Sequence, residues 1–334
     1  MIIVKAPLRI SIGGGGTDLP SYYENFESTF ISAAINKYIY ISVHSVFGHE
    51  LILKYSELER VESADLIKHP IVREALKHVH INSSLEISSF ADIPSGTGLG
   101  SSGSFTVALL KALYTYKNIN HDAMTLAEDA CRIEIEKLGA PIGKQDQYIS
   151  SVGGLTRFNI DKKGLVTASN LEMEKHHRID LEDHLLLFFT GYSRSANDLL
   201  HEQDLKTKIS HVGSVSDKKN EMIENLHFTK DLGIKIGVAL EKGNLQEFGE
   251  LMNVHWQWKK KRSSNMSSSQ IDHWYEVAKK NGAIGGKLIG AGGGGFLMFL
   301  TDDKRRLRQA LREAGMTDVP FRFDNLGAQV VLHD

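Results

Sequence analysis

The sequence predicts an α+β protein built from two domains. Its 334 residues exceed the roughly 100 to 200 residues of a typical domain, and a hydrophobic content of 41% is enough for a sizeable core. Apolar residues alternate with a period of two in the first half, which indicates strands, and recur at helical spacing in much of the second half. We place the boundary where the strand-rich pattern ends, which gives domains 1–170 and 171–334.

The first half opens with a strand at residues 2–12, where apolar side chains occupy the even positions. Pro7 predicts a bend or an edge position in this strand, because proline cannot donate a ladder hydrogen bond. Further short segments rich in β-branched or aromatic residues predict strands, and helical spacing of apolar residues predicts helices. The strands are expected at 39–46, 51–55 and 85–90, and the helices at 105–116 and 123–138.

The second half is more helical. Helices are expected at 195–208, 221–242, 245–258, 270–281 and 305–313, and a buried strand at 185–189. A strand-like run at 287–289 and 296–300 is interrupted by a glycine-rich segment, 290–295. No period of 20 to 50 residues repeats along the chain, which argues against solenoids and propellers.

Charge and cysteine content narrow the class of protein. The 39 basic and 41 acidic residues give a formal net charge of −2, which excludes a dedicated polyanion binder, so no nucleic-acid partner is expected. Cys131 is the single cysteine and cannot form an intramolecular disulfide, which indicates a reducing compartment. The longest apolar runs fall far short of the roughly 20 residues that cross a bilayer. We expect a cytoplasmic protein without a membrane partner, as a monomer or homodimer.

A glycine-rich segment at 95–102 is the strongest candidate for a ligand site. It lies between a predicted strand and a predicted helix, where glycines permit close backbone approach and the helix N-terminus offers free amide groups to an anion such as phosphate. Gly98, Gly100 and Gly103 formally satisfy the dinucleotide pattern G-x-G-x-x-G, but no acidic residue ends a second strand about 20 positions later. No lysine stands where a Walker A motif requires it. A structural turn is the remaining alternative.

Carboxylates near this segment could carry chemistry. Asp146 follows a predicted helix that contains Glu134 and Glu136. A carboxylate beside a phosphate site could accept a hydroxyl proton, and a second one could hold Mg²⁺ together with a serine hydroxyl. Taken singly, the two glutamates are more often solvated helix-face residues. Arg9 could pair with such a carboxylate, although a surface ion pair is the plainer interpretation.

Three motifs occur together and in order along the chain. They are K-A-P-L-R-I at 5–10, P-x-x-x-G-L-G-S-S at 94–102 and K-L-I-G-A-G-G-G-G-F at 287–296. Together they resemble the signatures of the GHMP small-molecule kinases, named after galactokinase, homoserine kinase, mevalonate kinase and phosphomevalonate kinase. Segments 6–11, 13–20, 143–148 and 190–194 make the sequence most similar to the branch that phosphorylates D-glycero-D-manno-heptose 7-phosphate at the anomeric carbon, and related fucokinase domains share several of them.

The resemblance implies a fold, ligands and residue roles. The implied fold is a mixed-sheet N-terminal domain and a helix-covered antiparallel-sheet C-terminal domain, with ATP and a sugar phosphate between them. Mg²⁺ would be held by Ser102 and Glu134, and Asp146 would act as general base or orient the nucleophile, accompanied by Arg9. The ATP-binding segment would comprise Pro94, Gly96, Thr97, Gly98, Leu99, Gly100, Ser101 and Ser102. The substrate-binding residues would be Gly15, Gly16, Thr17, Asp18, Lys144, Arg194, Gly293 and Gly294.

Several alternatives stay open at this point. The basic run 256–262 is usually a solvated helix face, but it could hold the distal phosphate of a sugar phosphate, with Arg194 and Lys144 as competitors. Gly103 departs from the alanine usual in the family, at a cost of roughly 1 kcal/mol in helix propensity. The protein could also be a GHMP kinase for fucose or galactose, a catalytically silent sensor, or a nicotinamide-dependent enzyme.

Overall fold

The computed structural model describes residues 1–192, 196–211 and 221–334. In these residues the strands form two sheets, and helices pack around both. The strands are β1 (Ile2–Gly13), β2 (Ser28–Ser45), β3 (Leu51–Lys54), β4 (Leu58–Val61), β5 (Leu85–Ala91), β6 (Leu155–Ile160), β7 (Val166–Asn170), β8 (Leu185–Phe189), β9 (Ala283–Leu288), β10 (Phe296–Thr301), β11 (Thr317–Asp318) and β12 (Gln329–His333). The helices are α1 (Pro20–Phe26), α2 (Pro70–His78), α3 (Ser101–Tyr116), α4 (Ala123–Cys131), α5 (Gln145–Val152), α6 (Lys175–His184), α7 (Ala196–His211), α8 (Glu221–Glu241), α9 (Leu245–Lys260), α10 (Ser269–Lys280) and α11 (Lys304–Glu313).

The larger sheet has eight strands and is mixed. Its main order is β12-β1-β2-β5-β3-β4, with β6 paired to β2 and β7 paired to β6. The pair β3–β5 is parallel, whereas its other pairs are antiparallel. The second sheet has four antiparallel strands in the order β11-β8-β10-β9. The predicted α+β architecture of one mixed and one antiparallel sheet is therefore confirmed.

The pairing of β1 changes around Pro7. Its pairing with β12 covers Ile2–Lys5 and stops before Pro7, and its register against β2 shifts between Pro7 and Leu8. The strand is thus irregular where proline predicts it. β2 is much longer than the predicted strand at 39–46. Its first half contains Ala33 and Ala34, which have low β-propensity but pair with β1, and Ala33 also pairs with β6.

The glycine-rich segment 290–295 is not an interruption of one strand. It connects β9 to β10, which pair antiparallel as a hairpin, so the expectation of a single broken strand was wrong. Gly290 has a φ of 79°, and a Cβ on it would lie 2.6 Å from the Cα of Gly98. Glycine at 290 therefore allows the hairpin loop to rest directly on the first glycine-rich segment.

The helices follow the predicted spacing with two notable differences. The predicted helix 123–138 is α4 continued by a π-helical turn, Arg132–Lys137. The helices α1, α2, α5 and α6 were not predicted; they have 7, 9, 8 and 10 residues, too few for a strong periodic signal. α3 contacts β1, β2, α2, α4 and α5, and most of its residues are buried. It is the central helix of the first half.

The end of the chain returns to the larger sheet, because β12 pairs with β1. The division into 1–170 and 171–334 remains a prediction.

No described helix combines the length and the apolar character needed to span a bilayer.

Candidate active site

A cavity of about 590 Å³ lies between elements of the two halves of the chain. The first half contributes the end of β1 and the glycine-rich segment at the N-terminus of α3, together with the start of α5. The second half contributes residues of α7 and α9 and the turn after β9. Most of the predicted site residues line this cavity.

The glycine-rich segment presents an anion-binding surface to the cavity. Gly96, Gly98 and Gly100 have φ values of 76°, 85° and 79°, a region that side chains other than glycine rarely adopt. α3 begins at Ser101 without a side-chain cap, so its first amide groups are free to bind an anion. Five predicted residues line the cavity, namely Gly96, Gly98, Gly100, Ser101 and Ser102, whereas Pro94, Thr97 and Leu99 do not.

Thr97 and Leu99 support the segment instead of facing a ligand. Both are buried. The Thr97 hydroxyl donates to the Pro94 carbonyl at 3.0 Å, and the Leu99 carbonyl accepts from the Arg9 amide at 2.9 Å. These contacts hold the loop in its shape and tie it to β1.

Ser102 and Glu134 form an oxygen pair at the N-terminus of α3. The Ser102 hydroxyl donates to Glu134 Oε2 at 2.6 Å, and the Gln147 side-chain amide donates to Oε1 at 3.1 Å. Burial raises the pKa of the Glu134 carboxyl, an effect that these hydrogen bonds oppose. None of the ion pairs among the described residues includes Glu134, whereas Glu136 is exposed. The alternative that Glu134 is a solvated helix-face residue was therefore wrong.

Arg9 and Asp146 form a bidentate ion pair at the cavity wall. Arg9 Nε donates to Asp146 Oδ1 at 2.7 Å and Nη2 donates to Oδ2 at 2.9 Å, while Nη1 donates to the Gly98 carbonyl at 2.5 Å. The Arg9 side chain is 7% exposed and that of Asp146 is 29% exposed. The guanidinium thus fixes the carboxylate against the glycine-rich segment and leaves it accessible from the cavity.

Asp18 lies on the same side of the cavity as Asp146. Its carboxylate accepts from the amides of Gly16 and Gln145 at 3.0 and 3.1 Å, and burial raises its pKa. A Cβ on Gly143 would meet Asp18 Oδ2 at 1.9 Å, so only glycine permits this approach. Gly15 and Gly16 also line the cavity.

Thr17 does not line the cavity. It is fully buried, and its hydroxyl contacts the Gly14 carbonyl at 2.8 Å and the Ser28 hydroxyl at 2.6 Å. These hydrogen bonds stabilise the turn that precedes Asp18.

The remaining predicted substrate residues lie elsewhere. The Lys144 ammonium is buried against both Glu128 oxygens at 2.9 Å and the Gly164 carbonyl at 2.8 Å. Gly293 donates to the Met266 carbonyl, and Gly294 packs against Tyr192. None of these three lines the cavity. Arg194 lies outside the described residues.

A group of buried basic side chains occupies the wall contributed by the second half. His255, Lys259, Arg262 and Lys287 line the cavity, and each is at most 8% exposed. The run 256–262 was expected to be a solvated helix face, with a role in binding a distal phosphate as the alternative, and for the buried Trp256, Lys259 and Arg262 the expected solvated face was wrong. The four-residue spacing of His255 and Lys259 was the signal in the sequence that could have revealed this group, because it places both residues on one face of α9.

An apolar surface lines the cavity beside the anion site. It is formed by Pro70 and Ile71 at the start of α2 and by Leu138, Ala140 and Ile142 after the π-helical turn. Such a surface suits a planar nucleobase next to a phosphate site. Nothing in the local sequence indicated it, because two distant segments must meet to form it.

Comparisons with known proteins agree with this geometry. The family model of the GHMP kinases N terminal domain matches residues 66–154, and that of the GHMP kinases C terminal matches residues 238–315. The D-glycero-alpha-D-manno-heptose 7-phosphate kinase of Campylobacter jejuni is 29% identical over 98% of both chains. A galactokinase of Pyrococcus furiosus is 26% identical over 90% of this chain and 89% of its own.

Solved structures share the whole fold. A D-glycero-D-manno-heptose 1-phosphate kinase from Bacteroides thetaiotaomicron superposes with a TM-score of 0.80 at 25% identity, covering 100% of both chains. A sugar kinase structure from Campylobacter jejuni gives a TM-score of 0.76 at 26% identity, covering 98% of this chain and 97% of its own. With both family models matched in order and the signature residues gathered around one cavity, the chain belongs to the GHMP kinases and is an ATP-dependent sugar kinase.

Proposed function

We propose that the protein transfers the γ-phosphoryl group of MgATP to the anomeric hydroxyl of D-glycero-D-manno-heptose 7-phosphate, giving the 1,7-bisphosphate for nucleotide-activated heptose biosynthesis. The observation that carries the proposal is one cavity in which the N-terminus of α3, the Ser102–Glu134 pair and the Asp146 carboxylate meet. Each supplies a part that phosphoryl transfer requires: phosphate binding, charge neutralisation and orientation of the nucleophile.

The proposed transfer forms one bond to phosphorus and breaks another. The anomeric oxygen attacks the γ-phosphorus, an O–P bond forms, and the bond from the γ-phosphorus to the β,γ-bridging oxygen breaks, so ADP leaves with the electron pair. Asp146 accepts the hydroxyl proton or aligns the hydroxyl through a hydrogen bond. Arg9 holds the Asp146 carboxylate through both of its oxygens, which leaves further lone pairs to face the sugar.

The Ser102–Glu134 pair fits Mg²⁺. A buried carboxylate without an ion-pair partner in the described residues, adjacent to a hydroxyl oxygen, provides the hard oxygen donors that Mg²⁺ prefers. Two protein ligands are sufficient because Mg²⁺ in kinases is completed by phosphate oxygens and water. Bound there, the ion would neutralise charge on the transferring phosphoryl group, while Gln147 holds the second carboxylate oxygen in place.

The names of the relatives support a heptose monophosphate as the acceptor. The Campylobacter jejuni relative is named a heptose 7-phosphate kinase and the Bacteroides thetaiotaomicron structure a heptose 1-phosphate kinase. Both names specify a heptose that already carries one phosphate. Asp18, which interacts electrostatically with Asp146, provides a hydrogen-bond acceptor for sugar hydroxyls, and the side-chain-free Gly15 and Gly16 of the same cavity provide space.

A coupled assay of ADP release tests the proposal across sugars and sugar phosphates. Heptose 7-phosphate should give a kcat/KM about 10-fold or more above that of unphosphorylated heptose, since a subsite for a charged phosphate left empty costs roughly 1–3 kcal/mol. Equal values for the two, or faster turnover of fucose or galactose, would contradict the proposed substrate.

A further inference from the structure

Among the described residues, no carboxylate forms a hydrogen bond or an ion pair with the buried basic side chains of the cavity wall, although the Asp18 carboxylate lies close enough to Arg262 to favour its charged form. Lys259 donates to the Leu288 and Gly290 carbonyls at 3.0 and 2.5 Å, and Lys287 donates to the Ile12 carbonyl at 2.8 Å. Arg262 donates to Asn225, Thr229 and the Gly15 carbonyl at 2.9, 2.7 and 3.2 Å. Within the described residues, every one of these partners is neutral.

Burial and mutual repulsion oppose the charge of this cluster. Desolvation, with Arg262 and Arg9 nearby, lowers the pKa of Lys287 from 10.5 to about 7. Burial likewise lowers the pKa of Lys259 and of His255 well below their ordinary values. Because a buried cation without a counterion destabilises a fold, such a cluster at a cavity wall points to an anionic ligand that completes it.

His255 gives an independent indication of a ligand. Its Nδ1 lies 3.2 Å from Lys287 Nζ, whereas its buried Nε2 has no hydrogen-bond partner in the described part of the chain. The residue is 3% exposed and lines the cavity. An unpaired polar atom at this position costs free energy unless a ligand contacts it.

The contacts of Arg262 and Lys287 favour an anion on the sugar side of the cavity, whereas Lys259 contacts the Gly290 carbonyl nearer the glycine-rich segment. Arg262 and Lys287 bind the carbonyls of Gly15 and Ile12, which belong to the segment that leads to Asp18. A Cβ on Gly16 would lie 2.5 Å from Arg262 Nη1, so glycine at 16 gives the guanidinium its position. The free amides and the Ser102–Glu134 pair, which suit the nucleotide phosphates, lie on other elements, the start of α3 and the π-helical turn.

We propose that Arg262 and Lys287, with Lys259 and His255 beside them, bind the phosphate that the sugar substrate already carries. The inference rests on the proposed function and identifies the residues that select a phosphorylated sugar. Arg262 supplies a planar donor pair for a phosphate, and Lys287 supplies a charged donor that becomes fully protonated when the dianion is present.

Kinetics of two variants and one control test this assignment. Lys287→Met and Arg262→Gln should each lower kcat/KM for heptose 7-phosphate by at least about 30-fold, the loss typical of removing one partner of a buried charge pair. The KM for ATP should change less than about 3-fold, and turnover of unphosphorylated heptose should fall by a smaller factor than that of heptose 7-phosphate, because that sugar offers no phosphate to the cluster. Lys261→Gln, an exposed lysine of the same basic run, is the matched control and should behave as the wild type.

Inhibition of the wild-type enzyme by inorganic phosphate supplies a test that needs no variant. Phosphate should compete with heptose 7-phosphate, and not with ATP, if the cluster is the sugar-phosphate subsite. Competition with ATP alone, or variants that raise the KM for ATP and spare the sugar phosphate, would assign the cluster to the nucleotide and overturn the inference. Equal wild-type use of heptose and heptose 7-phosphate would instead overturn the proposed function itself.

Discussion

At the scale of single residues, Glu134 is the strongest candidate for the Mg²⁺ ligand of the described chain. Glu134→Gln should lower kcat by about 100-fold or more at low Mg²⁺, because it removes a charged ligand from a site that otherwise offers a hydroxyl. Glu136→Gln is the matched control, since that carboxylate is exposed on the same turn. Turnover measured against Mg²⁺ concentration decides the assignment: if Glu134→Gln behaves like Glu136→Gln at low Mg²⁺, Glu134 does not bind the metal.

A substitution at Asp146 should impair phosphoryl transfer and leave ATP binding nearly unchanged. Asp146→Asn keeps the size of the side chain but cannot accept the proton, so kcat should fall about 100- to 10,000-fold. ATP affinity, measured by titration, should stay nearly unchanged, because the free amides of α3 do not depend on this side chain. A variant that retains more than about a tenth of the wild-type kcat would limit Asp146 to an orienting role.

Individual site residues differ in how well the sequence predicts them. The motifs identify Gly100, Ser102 and Asp146, all of which line the cavity. Lys144 has the same motif support, yet it pairs with Glu128 sixteen residues earlier. Sequence proximity to Asp146 does not reveal which way a neighbouring side chain points, because adjacent helical residues face different directions.

At the scale of secondary structure elements, Gly103 controls the contact between α3 and α5. A Cβ at this position would lie 2.7 Å from Asp146 Cβ and 3.0 Å from the Gln147 amide nitrogen. Gly103→Ala should therefore shift the start of α5 and lower kcat by about 10-fold or more, although alanine is favoured over glycine in helices by about 1 kcal/mol. Kinetics together with a melting curve test this, and a variant that is more stable and equally active would show that α5 tolerates the shift.

Elements with strong local periodicity were predictable, and those that depend on distant partners were not. The predicted helix 245–258 is α9, and the predicted strand 185–189 is β8. The strand β12 and the first half of β2 depend on pairing with residues far away in sequence. Their own side chains include exposed or weakly β-forming residues, so local pattern alone does not reveal them.

At the scale of the whole molecule, the buried basic cluster should lower the stability of the protein without ligand, as expected if it is built to bind a phosphate. Lys287 is protonated in the unfolded chain up to about pH 10.5 but loses its proton near pH 7 in the folded protein. The destabilisation is therefore complete below pH 7 and disappears as the pH rises towards 10.5. Lys287→Met removes it, so the Tm advantage of the variant over the wild type should shrink by about 2 °C or more between pH 7 and pH 9.5. A constant difference across this range, by scanning calorimetry without ligand, would show that Lys287 is not a buried charge.

The regiochemistry of the product tests the central claim most directly. The wild-type enzyme is incubated with heptose 7-phosphate and MgATP, and the product is analysed by ³¹P NMR. We predict one new phosphate ester coupled to the anomeric proton, formed in equal amount with ADP, with the 7-phosphate signal retained. A new ester at any other carbon, or ADP formation without a new sugar phosphate, would contradict anomeric phosphorylation of a sugar phosphate by this enzyme.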